Sequence, residues 1–409
     1  MPHARVLARR SATEWSVRGS LALLAALAGY AGVSRTMGYT LRSGNAAQAH
    51  ALAPGDGRVT AALAQRRAGT DATSADRAEA DRLARLALLQ DPTAVAAAST
   101  LGINAQIRGD TARARRVFAY AERLSRRELQ TQLWAIENAV GGGDIAGALR
   151  HYDIALRTSR NASDLLFPVL ASAMNDPAIR AALGGTLAAR PAWGPSFIEY
   201  SAGGGADPRA AAGLLLALRR ARAPVPELAS AAVINALVAK GHPEQAWAYY
   251  ASIRPGVDRR FSRDPRFTAE LVHPSPFDWA PINDAGAATS IQRGDRGGVV
   301  DFAAPPGVGG PLLQQMQALP PGTYRLQGHG SGIDQPAGSR PYWLLACAGG
   351  RELGRIVVPN SATEDGAFGG QFDVPAGCPI QTLMLVARPS EAIAGSSGQI
   401  DHVRLSPAR

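Results

Sequence analysis

The chain has 409 residues, 46% of them hydrophobic and 19% charged, with a formal net charge of +10. That length allows two or three domains, and the composition excludes both a disordered chain and a polytopic membrane protein. Lys240 is the sole lysine among 43 basic residues, and Arg5, Arg9, Arg10, Arg18, Arg35 and Arg42 against Glu14 place half of the net charge at the amino terminus, so the remainder is only mildly basic.

Residues 19–34 read GSLALLAALAGYAGVS, an uncharged run preceded by a basic stretch and closed by Arg35. At the helical rise it covers roughly 24 Å against a hydrocarbon core of about 30 Å, so flanking arginines would have to snorkel for it to span. The expected organisation is a basic cytoplasmic tail at 1–18 and a membrane anchor or signal segment at 19–37. The excess of arginine before the run keeps the amino terminus cytoplasmic and puts the bulk of the chain outside an inner membrane, as a single-pass protein. A cleaved signal peptide is the alternative, with small residues at Gly29-Tyr30-Ala31 for the peptidase and secretion as the outcome.

From 38 to 256 the sequence is rich in Ala and Leu, with helical periodicity and short Gly, Asp or Pro punctuation. Gly109-Asp110, Ala114, Phe118 and Ala121 return 34 residues later as Gly143-Asp144, Ala148, Tyr152 and Ala155. One period earlier the same register holds Asp76, Ala80, Ala84 and Ala87, with Pro92 beyond. Such a recurrence predicts a helix pair per repeat, in which small alanines let helices approach and an aromatic ring fills the space between layers. Gly241, Ala246 and Tyr250 echo the spacing out of phase. Degenerate hairpins, with helices near 162–173, 176–188, 207–221 and 227–240, would continue one right-handed stack. These residues, with Leu101-Gly102, resemble the tetratricopeptide repeat family. The resemblance covers two units well, at about 95–127 and 129–161, and implies an α-solenoid with a surface for an unidentified protein partner. Ala98, Ala105 and Arg126 depart from its pattern.

Residues 257–275 carry many charges and prolines and read as a polar linker with at most one short helix. From 276 to 409 short alternating segments follow one another between Gly/Pro-rich turns, with strands expected at 298–302, 322–328, 342–347, 352–358, 369–374, 381–387 and 399–405. That pattern predicts a β-sandwich. Pro-Gly-Thr-Tyr-Arg-Leu at 321–326 and Ile400-Asp401-His402-Val403-Arg404-Leu405 resemble the strand entry and closing strand of non-catalytic carbohydrate-binding modules, which implies a jelly roll and a polysaccharide as ligand. The fold class expected is therefore mainly α plus all-β, a helical solenoid followed by a sandwich.

Cys347 and Cys378 are the only cysteines, and an exported domain favours a disulfide between them; two small buried hydrophobes are the alternative. Seven scattered histidines show no HxxH or HExxH pair, so neither a metal site nor a cofactor is expected. Tyr342, Trp343 and Trp279 are the candidate glycan contacts, because indole and phenol rings stack on sugar faces; burial in the core is the competing reading. Gly328-His329-Gly330-Ser331-Gly332 fits neither a nucleophile elbow nor a phosphate loop. The arginines at 113, 115, 116, 123, 126 and 127 interleave with Glu122 and Glu128 and lack aromatic partners, which reads as a solvated helix face and not as a nucleic-acid site. An enzyme would need a carboxylate pair in the sandwich, for which Glu364 with Asp365 or Asp373 are candidates, but adjacent acids in a Gly-rich loop are usually exposed turn residues. The sequence therefore points to a non-enzymatic envelope scaffold, by analogy in surface polysaccharide assembly or export, or to a glycan-binding sandwich on a helical stalk.

Overall fold

The computed structural model describes residues 11–294 and 297–408; Arg5, Arg9 and Arg10 of the basic tail lie outside the described residues. Among those described, fourteen α-helices precede ten β-strands, and the chain divides into two compact units, Met1–Leu166 and Phe167–Arg409.

The first unit opens with α1 (Ala12–Leu41), whose cap Ser11 accepts from the Glu14 backbone N–H. The helix is longer than the apolar run it contains. Almost every side chain ahead of Ser34 is exposed, and Ala12–Val33 covers roughly 33 Å at the helical rise. Ser34 and Gly38 are buried against α2 (Ala46–Leu52) and α3 (Gly57–Arg67). The Ser34 hydroxyl donates to the Leu52 carbonyl, and a Cβ on Gly38 would meet the Ala53 Cβ at 2.9 Å and the Ala49 carbonyl at 3.2 Å.

Hairpins follow: α3 with α4 (Ser74–Gln90), α5 (Val95–Ile107) with α6 (Thr111–Leu124), and α7 (Leu129–Gly141) with α8 (Ile145–Thr158). The 34-residue repeat is visible bond for bond. Gly109 and Gly143 have φ of +80° and +71°, conformations that favour glycine, and Asp110 N donates to Ala105 O as Asp144 N donates to Ala139 O. Each aspartate then caps the next helix, accepting from Arg113 N and Gly147 N. Ala114, Phe118 and Ala121 are buried, as are Ala148, Tyr152 and Ala155. Gly102 lies beneath the Phe118 ring, where a Cβ would approach ring carbons to 2.8 Å. One period earlier the register holds in the helix but not at its start: α4 begins a turn sooner, capped by Thr73 in a reciprocal box with Asp76.

The second unit takes up α9 (Ala162–Ala173) from Phe167, then α10 (Pro177–Ala188), α11 (Gly194–Tyr200) running into a π-turn at 201–205, α12 (Pro208–Arg220), α13 (Glu227–Ala239) and α14 (Pro243–Ile253). Gly241, at φ +76°, turns the chain between α13 and α14 with the bond pattern of the earlier repeats, His242 N to Leu237 O. These helices group with the strands in the second unit.

The strands are β1 (Ala280–Pro281), β2 (Ala288–Gly294), β3 (Gly297–Ala304), β4 (Gly310–Gln317), β5 (Gly322–Ser331), β6 (Tyr342–Cys347), β7 (Glu352–Val357), β8 (Ala367–Val374), β9 (Gln381–Ala387) and β10 (Ser396–Pro407). They form two antiparallel five-stranded sheets in the orders β1-β4-β9-β6-β7 and β2-β3-β10-β5-β8, a jelly-roll sandwich. Alternate residues of both sheets meet in one core, among them Phe302, Leu326, Trp343, Leu345, Phe372, Leu383 and Leu385. A bulge between Ile400 and His402 lets Ile400, Val403 and Leu405 all point inward.

Residues 257–275, expected as a linker with perhaps a helix, contain no helix and are stitched to the sandwich. Ser262 N donates to Leu405 O, Val403 N to Pro265 O, and Gly298 N to Arg266 O. Phe267 is fully buried in the sandwich core. Arg263 is buried as well, its guanidinium donating to the carbonyls of Phe277, Phe261 and Met316 and to Gln317 Oε1. A charged residue can be buried here because three backbone oxygens and one amide oxygen take up four of its N–H donors.

Candidate functional site

Adjacent residues of a strand point to opposite sides of a sheet, so Tyr342 and Trp343 cannot share one ligand surface. Trp343 is fully buried, 6.3 Å from Phe368 and 5.8 Å from Trp279 between ring centroids. Trp279 is buried too and donates from its indole N–H to Asp264 O. Both tryptophans are therefore core residues, and the reading of them as glycan contacts is corrected by their burial. Tyr342 alone of the three lies on the outer face.

That face belongs to the sheet of β4, β9, β6 and β7, and the register defines it. Tyr342 sits between Val386 and Val357, and the next outward row is Gln314, Met384, Leu344 and Arg355. None of these side chains is fully buried, and Val357 is 42% exposed. The Arg355 and Arg388 guanidinium carbons stand 4.9 and 5.0 Å from the Tyr342 ring centroid. Arg355 is held by Glu352 through two bonds of 2.6 and 2.8 Å, which raises the arginine's pKa and lowers that of the glutamate. Arg388 has no carboxylate partner among the described residues. The sequence reading missed both arginines, although the phase of Trp343 and Leu345 marks Tyr342 and Leu344 as outward.

The other candidates resolve differently. Cys347 and Cys378 are joined in a disulfide, with Cα atoms 5.6 Å apart. Glu364 pairs with Arg340 at 3.0 Å, Asp365 lies 3.6 Å from His329 Nε2, and Asp373 accepts from Thr323, so the three carboxylates are engaged by three different partners. His329 Nδ1 is 2.6 Å from Asp401 Oδ2, and Ser331 donates to the same carboxylate at 3.4 Å. The serine thus faces the acid and not the histidine, which is the wrong order for activating a nucleophile. Among the described residues no group of three or more His, Cys, Asp or Glu is arranged to hold a metal.

A cleft of the second unit, about 660 Å³, is lined by Tyr250, Arg254, Arg263, Asp264, Asp278 and Arg404 with their neighbours. Its buried polar groups are already satisfied. Tyr250 donates to Asp278 Oδ1 at 2.7 Å, and Oδ2 accepts from the Ser275 backbone and hydroxyl. Burial, and then the Asp278 carboxylate, pushes the Tyr250 pKa up, while burial pulls that of Arg263 down to about 10. Trp247 and Phe277 close the network at 5.3 Å. It clamps α14 to the sandwich and leaves little for a ligand to bind.

In the first unit a groove of about 550 Å³ runs between α6, α7 and α8. Trp134 stacks on Phe118 there at 4.4 Å, and the buried Thr131 hydroxyl points to no hydrogen-bond partner. His151 Nδ1 lies 2.8 Å from Gln132 Oε1, and burial lowers the His151 pKa.

No protein-family profile matches the chain, and no curated protein matches it. Solved structures that resemble part of it include TmCBM61 in complex with β-1,4-galactotriose, at 16% identity over 32% of this chain and 88% of that one, with a TM-score of 0.24. A CBM4 structure matches at 15% identity over 37% of this chain and all of that one, TM-score 0.27. The CBM22-1 xylan-binding domain of Paenibacillus barcinonensis Xyn10C matches at 11% identity over 37% of this chain and 94% of that one, TM-score 0.24. The sandwich assignment rests on the strand order and register given above.

Proposed function

We propose that this protein is a non-enzymatic, membrane-anchored glycan binder, in which the outer sheet face around Tyr342 contacts a polysaccharide and the helical unit presents it. The observation that carries this reading is the apolar outer face itself: Tyr342, Leu344, Met384, Val386 and Val357 form a contiguous surface across three strands, and a sheet face turned to water normally carries polar side chains. Sugar rings offer apolar faces that suit such a surface. The anchor is α1, whose exposed part has the length of a bilayer core and whose last turns are docked on α2 and α3. The arginine bias keeps the amino terminus cytoplasmic and the two units periplasmic.

The test is binding of the detergent-solubilised full chain to a panel of soluble polysaccharides by affinity electrophoresis. Retardation by at least one glycan, weakened in Tyr342→Ala and Leu344→Ala variants of unchanged melting temperature, supports the reading. Mobility unaffected by every glycan overturns it. If the mature protein begins at Gly32, the secreted form replaces the anchored one.

The groove beside Trp134 favours a second reading, a scaffold for a protein partner. The Trp134 ring, only partly buried, lines this groove beside Asn138 and Arg150, a mix of apolar and polar side chains that suits an extended peptide. Crosslinking through a photoreactive residue at position 138 in native membranes would capture that partner, and its absence there would leave the glycan reading alone.

A further inference from the structure

The Tyr342 ring is not a bare stacking platform. Two guanidinium groups stand within about 5 Å of its centroid, Arg355 from the paired strand β7 and Arg388 from the end of β9. A neutral sugar laid on that ring would have to displace cations already attracted to the ring's electron-rich face. An acidic sugar would not: it could lie on the Leu344, Met384 and Val386 surface while its anionic group meets a cation already held in place. The two arginines differ in availability. Arg355 is committed to Glu352 by two short bonds, whereas Arg388 is half-buried, is positioned by the ring, and meets no carboxylate among the described residues. A guanidinium fork takes a carboxylate or other oxyanion in paired bonds, and a partly desolvated one gains more from doing so than a charge in open water.

Building on the proposed glycan binding, we infer that the ligand of this face is an acidic glycan, whose oxyanion, a uronate carboxylate or an ester sulfate, pairs with Arg388 while its ring lies on the aliphatic rows beside Tyr342. Charge complementarity at a fixed position is what distinguishes this from general attraction of polyanions to a chain of net charge +10.

The experiment uses three polymers with one backbone: dextran, carboxymethyl-dextran and dextran sulfate, with polygalacturonate as a uronate chain. The full-length protein in detergent is compared with Arg388→Gln and with Arg325→Gln, which removes the same charge from an exposed position on the outer face of the opposite sheet. The expected result is preference for an acidic polymer over dextran, an affinity loss of about tenfold in Arg388→Gln, and a loss of less than about twofold in Arg325→Gln. Carboxymethyl-dextran and polygalacturonate outranking dextran sulfate would identify the oxyanion as a carboxylate, and the reverse order as a sulfate. Equal losses in the two variants would mean bulk charge attraction and overturn the inference. Binding of dextran or another neutral glycan that survives Arg388→Gln would overturn the acidic ligand while leaving glycan binding standing; no binding to any polymer would overturn both.

Discussion

The first unit and the sandwich bury their residues in opposite ways. Between α3 and α5 the core is Ala61, Ala64, Ala84, Ala87, Ala94, Ala97 and Leu101, and a separate cluster holds Ala105, Ala114 and Phe118. Each alanine contributes little apolar area, so the helices gain by close backbone approach, repeated from hairpin to hairpin. The sandwich has one continuous core drawn from both sheets, with Trp279, Trp343, Phe302, Phe368 and Phe372 in it, and a disulfide besides. Damage to a chain of small local clusters should stay local. Damage to a single core joined by distant strands should spread through the whole sandwich.

The largest test is Trp343→Ala. Loss of a fully buried indole should cost about 3–5 kcal/mol and abolish the cooperative melt of the sandwich, while the helical far-ultraviolet signal of the first unit persists. Simultaneous loss of both signals would break the contrast. Next, Cys378→Ser opens a closed loop with a sequence separation of 31 and should destabilise the same core by about 3–4 kcal/mol, read as a lower midpoint than that of the oxidised parent; equal midpoints would show that the bridge adds nothing to the packing around it. Gly102→Ala should lower stability by about 1–3 kcal/mol because the new methyl meets the Phe118 ring, and it should leave the sandwich transition where it is.

The smallest effect is electrostatic and confined to the first unit. Glu128 is half-buried near the Ser99 hydroxyl, and burial raises its pKa above the ordinary 4.5. The folded state therefore holds the proton more tightly than the unfolded chain. The resulting penalty is fully present at neutral pH, shrinks as pH falls through the raised value and is gone below about 4.5. Glu128→Gln should stabilise the first unit at pH 7 and show no advantage at pH 4, by thermal melts at both pH values.

How far the sequence disclosed this architecture follows from the same contrast. The repeat was readable because Gly109 and Gly143 each need a positive φ and because the alanines that follow must stay small. Seven strands were readable from period-two alternation. β4 was hidden because its inward positions include Gln315 and Gln317, both fully buried, where an apolar residue would have marked the strand. Those glutamines are buried because they bond to each other and to Arg263. The segment around Arg263 was hidden for the same reason: its charges suggested solvent, and only the three-dimensional arrangement supplies the carbonyls that take them up. β1 and β2 are edge strands, one of two residues and one largely polar, with little periodicity to detect. On the candidate face Tyr342 was legible by residue type, but Arg388 lies beyond the end of β9 and comes beside the ring only through strand pairing.

The unbroken course of α1 has a mechanical consequence. With Ser34 and Gly38 seated against α2 and α3, no break in the helix separates the apolar stretch from the helices that follow it. Were α1 inserted in a bilayer, as proposed, it would act as a stiff shaft: its tilt and azimuth would fix the direction in which α2 and α3 project, and a change in membrane thickness that tilted the shaft would swing both helices by the same angle.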